Sequence, residues 1–390
     1  MKTFLVLVNT RSGGQDGPHL LNRFSEVVGS SEVPGEVINI TEGTDDGGVV
    51  GPGPILHKYK DTADLRILVC GGDGTVGWVL SELEQIQFKY RPPPLAIIPM
   101  GTGNDLSRSF YWGGRYKDKP VRKVLYDVTE AEVVELDRWK LDFQGNEGEK
   151  HDRAIDQIPK QNCVFNNYFS LGIDAHIALQ FHNARNANQD KFTSRTRNLL
   201  FYGLEGGKDL LIQKWKYLME HVTVRCTLQD GRKVDITKKL KDYGAHSILF
   251  LNIKNYSGGT RPWKQKAGYN ASPNDGLIEV IALDNIDLAL LHIGGSGVFV
   301  CQASEVELST TRAVPMQVDG EPMLVNPCCI RVNLHNKVQI LDKNKSSTYP
   351  YRDPEIDEWA ARKIQSSFKQ YRRQKTGLSP REPSPAPGVT

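Results

Sequence analysis

A glycine-rich turn caught between a strand and a helix restricts this chain more than any other feature. In VCGGDGTVGWVL (Val69–Leu80), Gly71, Gly72, Asp73, Gly74 and Thr75 fill that turn. Upstream, LRILVC (Leu65–Cys70) is a short apolar run of the kind expected for a buried strand. Downstream, Val76, Val79, Leu80 and Leu83 recur at helical spacing and predict a helix over Val76–Ile86. Glycines accept positive φ and let backbone N–H groups close on an anion, and the helix N-terminus adds partial positive charge. Asp73 in such a turn lies where a carboxylate holds Mg²⁺ beside phosphates or accepts a proton.

Two further turns share this chemistry. VNTRSGG (Val8–Gly14) follows a first strand, Phe4–Val8, and IIPMGTGNDLSRSF (Ile97–Phe110) follows another, Leu95–Pro99. With a helix over Leu20–Val28 and a strand over Val37–Thr41, strands alternate with helices, and residues 42–54 read as loop. That alternation argues for a parallel sheet, which gathers all three turns on one edge, where α/β proteins place ligands. GxxxxGK[ST] is absent, which excludes a P-loop NTPase. No GxGxxG follows the first strand, which disfavours a dinucleotide site of the usual kind.

Past a charged, aperiodic stretch at Gly145–Lys160 the pattern changes. HVTVRCTL (His221–Leu228), HSILFLNI (His246–Ile253), GLIEVIAL (Gly276–Leu283), SEVELST (Ser304–Thr310), MQVDGEP (Met316–Pro322) and CIRVNL (Cys329–Leu334) are short β-rich runs between turns. Helical stretches interrupt them at Ala175–Asn183 and Asp284–Gly294. The fold class is therefore α/β: an N-terminal parallel sheet of Rossmann-like kind, then a mainly antiparallel β-sandwich.

Composition narrows the setting. The 390 residues suffice for two domains with proper cores, and a net charge of +3 is too small for a dedicated nucleic-acid binder. The six cysteines show no CxxC pair or His/Cys metal spacing. The apolar part of MKTFLVLVN ends after five residues, short of the roughly 7–15 of a signal sequence. No run approaches the ~18 apolar residues of a membrane span. The expectation is a cytoplasmic chain with reduced thiols, in which the sequons at Asn255, Asn270 and Asn344 carry no sugar.

GGDGTVGWVL together with PMGTGNDLSRS resembles the catalytic domain of diacylglycerol kinases, whose superfamily includes sphingosine and ceramide kinases. GGDG alone is less specific, since NAD kinases and phosphofructokinases carry similar turns. FNNYFSLGIDAHIALQFHNARNANQDKFTSRTRNLLFYGLEGGKDLL (Phe165–Leu211) resembles the eukaryotic accessory domain, and NYSGGTRPW, SPNDGLIEV and QVDGEP continue the match in order. The resemblance spans roughly residues 3–340. It implies a catalytic ATP-binding domain over 1–144, a linker or insertion over 145–160 and an accessory domain over 161–348. Asn274 stands where many members carry an acidic residue, which leaves Asp275 as the carboxylate of that motif. No cysteine-rich zinc modules precede the first strand, which implies a compact type or a lost N-terminal region.

The activity implied is transfer of the ATP γ-phosphoryl group to 1,2-diacylglycerol, giving phosphatidic acid at a membrane surface in lipid signalling. A ceramide or sphingosine kinase and an inactive lipid-binding scaffold are the alternatives. Gly13, Gly14, Gly71, Gly72 and Gly74 are expected to offer N–H groups to phosphates, with Gly101 and Gly103 in the third turn. Asn9, Ser12, Thr75, Thr102 and Asn104 would add side-chain hydrogen bonds, with Glu321 also at the ATP site. Asp73, Asp105 and Asp275 are the candidates to hold Mg²⁺, and Asp73 or Asp275 is the general base. Glu279 and Asp174 stand behind them, the latter equally read as a helix N-cap. Trp263, interleaved with Arg261, Lys264 and Lys266, is read as lipid-facing or as an ordinary buried tryptophan.

The end of the chain carries its own signal. From Glu355 to Lys375, six Lys/Arg face three acidic residues, a surplus equal to the net charge of the whole chain. Ile356, Trp359, Ala360, Ile364, Phe368 and Tyr371 form an apolar stripe there. IQSSFKQYRR resembles a calmodulin-binding IQ motif through Ile364, Gln365, Phe368, Lys369 and Arg373, although Gln370 replaces its glycine. Such a helix over 349–375 binds calmodulin, lies on anionic membrane or packs on the preceding domain. Residues 376–390 are too poor in apolar side chains to fold.

Overall fold

The computed structural model describes residues 2–13, 16–43, 48, 50–145, 163–187, 218–264 and 269–344. Apolar runs form β1 (Thr3–Val8), β3 (Leu65–Gly71) and β4 (Leu95–Pro99), which are almost wholly buried, and β2 (Gly35–Asn39) lies at the edge. They lie in the order β2-β1-β3-β4, all parallel, with Val8 level with Cys70 and Gly71 level with Pro99. The ends of three strands therefore finish together, as the sequence predicts.

Helices α1 (Asp16–Ser25), α2 (Gly53–Lys58), α3 (Asp73–Glu84), α4 (Asp105–Ser109) and α5 (Val121–Glu130) connect them. Leu20 and Phe24 of α1, Leu56 of α2, Val76, Val79 and Leu80 of α3, and Val124 and Val128 of α5 join the strands in one core. Two differences from the sequence reading have local causes. The helix after the Gly71–Thr75 turn starts at Asp73, three residues early, because extended Gly72 serves as its N-cap. The expected loop gives way to α2 at Gly53, with Pro54 in the first turn, where its missing N–H costs nothing.

The second half contributes β5 (Glu132–Gly145), β6 (Cys163–Phe165), β7 (Tyr168–Gly172), α6 (Ile173–Ala187), β8 (Val222–Thr227), β9 (Lys233–Asp235) and α7 (Thr237–Tyr243). It continues with β10 (Ser247–Leu251), β11 (Ile278–Leu283), α8 (Asn285–Leu290), β12 (Val298–Ala303), β13 (Glu305–Thr310), β14 (Val314–Val318), β15 (Glu321–Val325) and β16 (Cys328–Asp342). One antiparallel sheet runs β12-β11-β10-β7-β14-β15. Facing it are β8, β13 and the start of β16, whose Val224, Cys226, Val306, Leu308, Ile330 and Val332 share a core with Phe169, Ile248 and Phe250. The Phe169 and Phe250 rings stack 5.5 Å apart at its centre. The β-sandwich is thus present.

Strand β16 runs well past the expected Cys329–Leu334. It pairs with β13 at its start and with β5 along its length, then lies parallel to β4 through Ile340 and Leu95. Trp112 Nε1 donates to the Leu341 carbonyl at 2.6 Å, fastening the segment after α4 to this strand. The end of the sandwich is therefore built into the edge of the parallel sheet. No helix among the described residues is long and apolar enough to cross a membrane. Most of the expected linker, Gly14, Lys266, part of the Phe165–Leu211 motif, the IQ-like segment and the tail lie outside the described residues.

Candidate active site

The three turns touch one another through glycine. Gly13, at φ +72, sits so close to the third turn that a Cβ would lie 2.9 Å from the Met100 carbonyl oxygen. A Cβ on Gly101 would lie 2.7 Å from the Gly72 Cα, and one on Gly71 would strike the Thr75 side chain at 2.5 Å. Gly74 is different: nothing lies within 4 Å of its missing Cβ, so the first turn of α3 faces open space. Backbone approach is therefore possible there, as the sequence requires of an anion site.

Several polar side chains expected on phosphate hold the turns together instead. Asn9 Nδ2 donates to Thr75 Oγ1 at 2.9 Å, and the Ser12 N–H bonds to the Asn9 carbonyl. Asn104, left-handed at φ +54 and buried, donates its amide to the Gly101 and Gly114 carbonyls at 2.6 and 2.9 Å. The Asn104 amide is thus taken within its own loop and is not free for phosphate. Thr102 remains exposed in the third turn.

Asp73 joins the first and third motifs. Its oxygens accept the N–H groups of Asp105 at 2.9 Å and Leu106 at 3.2 Å, so it caps α4. Loss of water nonetheless holds its carboxyl above the ordinary range, against those bonds and the charge of Arg108. Asp105 lies beside it: a Cβ on the intervening Gly103 would be 3.4 Å from Asp105 Oδ2 and 3.6 Å from Asp73 Oδ2. Asp105 is only 2% exposed. Burial, with the neighbouring Asp73, pushes it up to about 7. Its Oδ2 accepts the Gly258 N–H at 3.0 Å, while Oδ1 is buried without a hydrogen-bond partner. Gly258 and Gly259 sit at φ +82 and +107, which turns successive N–H groups onto Asp105 and requires glycine.

A third carboxyl reaches this pair from the sandwich, and the sequence reading missed it. Asp319 occupies the tight turn between β14 and β15, with positive φ at Asp319 and Gly320. Asp-Gly suits such a turn, so the motif reads from sequence as an ordinary hairpin. Its oxygens accept N–H bonds from Asn166 and Asn167 at 2.8 Å and Tyr168 at 3.0 Å, with Asn166 Nδ2 at 3.3 Å. Burial, opposed by those bonds and aided by Asp73, pushes Asp319 up to about 6. Arg108 was missed as well. It donates to the Gly103 carbonyl at 3.1 Å, its guanidinium packs over Gly114 and Gly259, and its charge acts on Asp73 and Asp105.

Asp275 does not join this group. Its Oδ1 accepts the Leu277 N–H at 2.9 Å, and burial and Asp137 raise its carboxyl against Lys337. Asp137 is held there by the Gly276 N–H and by Lys337 Nζ at 3.2 Å. The expected trio of Asp73, Asp105 and Asp275 is thus split, and no three His, Cys, Asp or Glu side chains among the described residues stand ready to hold a metal. Glu279 is buried on β11, bonded to Gln302 at 3.1 Å and pushed up to about 8 by burial. Glu321 begins the edge strand β15 and is exposed. Asp174 lies in a buried network, accepting from Ser170, from Tyr256 at 2.7 Å and from Gln317 at 2.8 Å. Through Tyr256 it steadies the loop whose glycines hold Asp105. Trp263 is half-buried, edge-on to Phe299 at 6.1 Å, and Lys264 is exposed.

The family is now decided. A diacylglycerol kinase catalytic domain matches residues 3–136 and a diacylglycerol kinase accessory domain residues 164–322. The chain belongs to the diacylglycerol kinase family. It is 43% identical over 346 residues to the eye-specific diacylglycerol kinase of Drosophila melanogaster, covering 87% of this chain and 22% of that protein. It is 43% identical over 359 residues to diacylglycerol kinase zeta of Rattus norvegicus, covering 90% and 37% respectively. The chain thus spans well under half the length of these relatives. In fold it is similar to the crystal structure of a candidate diacylglycerol kinase from Bacillus anthracis str. Sterne, with TM-score 0.51, 19% identity, and 87% and 97% of the two chains covered.

Proposed function

We propose that this chain transfers the γ-phosphoryl group of ATP to the free hydroxyl of 1,2-diacylglycerol, giving phosphatidic acid. The observation that carries the proposal is the coupled pair Asp73 and Asp105, set where three glycine turns meet, with one Asp105 oxygen buried and unpartnered. Phosphoryl transfer asks a protein mainly to position charges, and this edge of the sheet does so. The open first turn of α3 at Gly74 offers N–H groups to the phosphates, and Arg108 adds a cation near them.

The unpartnered Asp105 Oδ1 fits Mg²⁺ arriving with ATP; Asp105 and Asp73 would hold that ion, which neutralises phosphate charge when bound. Base duty goes to Asp319. Asp105 is enclosed, and Asp73 caps α4 and would share the ion; Asp319, half-buried and oriented by three backbone N–H groups, has a carboxyl near 6 that is ionised yet basic at neutral pH. The long Asn166 Nδ2 bond at 3.3 Å is the one that yields to a substrate hydroxyl. Asp319 takes the hydroxyl proton as that oxygen bonds to the γ-phosphorus, and ADP leaves with the electrons of the broken P–O bond.

The substrate fixes the workplace as a membrane surface; six free thiols support its cytoplasmic side. The IQ-like helix is proposed to bind calmodulin, on its sequence alone. A peptide of 354–375 should then bind calmodulin by calorimetry, and Ile364→Glu should abolish binding. The activity is tested with labelled ATP and mixed micelles offering diacylglycerol, sphingosine or ceramide, with NAD supplied separately. Label on diacylglycerol is expected; label on ceramide alone, or on nothing, contradicts the proposal.

A further inference from the structure

An apolar stripe in the second half of the chain is exposed among the described residues. Ile286 and Leu290 of α8 and Ile293 in the following turn fall at helical spacing on one side, and Ile286 and Ile293 are 61% and 80% exposed. No residue of α8 is buried. Val298 at the start of β12 and Tyr269 extend the exposed apolar surface at 40% and 41%. Exposed isoleucine on a short helix is an ordinary event singly; five apolar side chains around one corner are a patch.

What surrounds the patch selects its occupant. Helix α7 lies alongside, bound through the Tyr243 hydroxyl to the Asp287 carboxylate and through Lys239 Nζ to the Val300 carbonyl at 2.8 Å. Its Lys238 and Lys241 are exposed, with Arg261 and Lys264 exposed in the neighbouring loop. The acidic groups of α8 are engaged inward: Asp284 caps the helix and Asp287 closes the capping box, leaving Asp242 as the exposed acid of α7. Apolar side chains ringed by lysine and arginine, with Trp263 and Tyr269 packed on Phe299 between them, match the interface of an anionic bilayer.

The same corner is wired to the carboxylate site. The loop that begins with the Gly258 N–H on Asp105 reaches the patch at Pro262, whose carbonyl accepts the Gly297 N–H at 3.0 Å. Three residues lie between the two contacts, a reach of at most roughly 14 Å at full extension. We propose that the Ile286–Leu290–Ile293 stripe and its basic rim dock on anionic lipid, so that a diacylglycerol headgroup is presented to the Asp105 side of the cleft. The proposal rests on the kinase reading for its substrate, and on the exposed stripe for its surface.

The test compares wild type with Ile286→Glu/Ile293→Glu, whose exposed positions leave the core untouched, and with Lys238→Glu/Lys241→Glu. Sedimentation with vesicles of phosphatidylcholine and phosphatidylserine is read beside activity on vesicle-borne diacylglycerol and on monomeric dihexanoylglycerol. The isoleucine variant should lose vesicle binding and vesicle activity at least tenfold while staying within twofold of wild type on the soluble lipid. The lysine variant should lose binding only where phosphatidylserine is present. Unchanged vesicle binding, or equal losses on both substrates, overturns the proposal, as does a wild type that is dimeric by light scattering and becomes monomeric in the isoleucine variant with vesicle binding intact. If wild type phosphorylates neither lipid while the variants still fall off vesicles, the kinase reading fails and the docking surface stands.

Discussion

The two sides of the candidate site are built by different means. On the parallel-sheet side, Gly13, Gly71, Gly72 and Gly101 press backbone on backbone, and Asp73 binds the start of α4 only 32 residues away. On the sandwich side, Asp319 reaches across more than 150 residues to Asn166, Asn167 and Tyr168 by side-chain hydrogen bonds. In the proposed reaction the first side holds phosphate and the second brings a reactive group to it. A division of labour follows, in which damage to the turns weakens nucleotide binding and damage to the hairpin slows the chemistry.

The largest effect should come from Asp319→Asn. Loss of a general base lowers kcat by roughly 10²–10⁴, and the KM for ATP should stay within about threefold if the division holds. Asp275→Asn, outside the coupled group, should cost less than tenfold in kcat. Steady-state kinetics on both variants would break the comparison if their effects were reversed.

Gly101→Ala comes next. A Cβ 2.7 Å from the Gly72 Cα must part the first and third turns, so both Tm and ATP affinity should fall together. Gly72→Asp meets the same contact at 3.0 Å, so it should perturb stability as well as activity. Gly74→Ala is the contrast. With open space around it in a helix it should gain roughly 0.5–1 kcal/mol of stability, while any rise in the KM for ATP reports phosphate over that turn. Calorimetry paired with nucleotide titration separates the two glycines.

How much of this was legible in the sequence follows from the same contrast. The turn motifs are local: glycine, carboxylate and hydroxyl must sit within a few residues of a strand end, so Gly71–Thr75 and Gly101–Asp105 announced themselves. Topology then guaranteed that parallel strands would bring them together. Asp319 and Arg108 gave no such signal. Asp-Gly is what any tight hairpin needs, and an arginine in a short helix is usually solvated. Asp275 shares the same Asp-Gly pattern, yet its strand end meets Asp137 on β5. Asn9 and Asn104 read from sequence as free donors, although close-packed turns consume such groups internally, while Thr75 accepts from Asn9 and keeps its own O–H. The return of β16 to β4 rests on one register pair that no local pattern encodes.

Smaller effects probe the supports. Burial pushes the Glu279 carboxyl up to about 8, against an ordinary value near 4.3, so the folded state holds a proton that the unfolded chain has released. Its contribution is therefore present below about pH 4 and declines as pH rises towards 8. Thermal scans should show Glu279→Gln flattening that decline relative to wild type. Asn9→Ala removes the bond to Thr75 and should cost about 1 kcal/mol in chemical denaturation.

In the proposed reaction a hairpin carboxylate from the sandwich activates the lipid hydroxyl towards nucleotide held by the parallel sheet. The pH dependence of kcat/KM for diacylglycerol, with ATP saturating, measures it in wild type and Asp319→Asn. Wild type should show a limb rising through about pH 6, where Asp319 ionises. That limb should vanish from the variant's residual rate. A variant that keeps both the limb and more than a tenth of the wild-type rate would show that the base lies elsewhere.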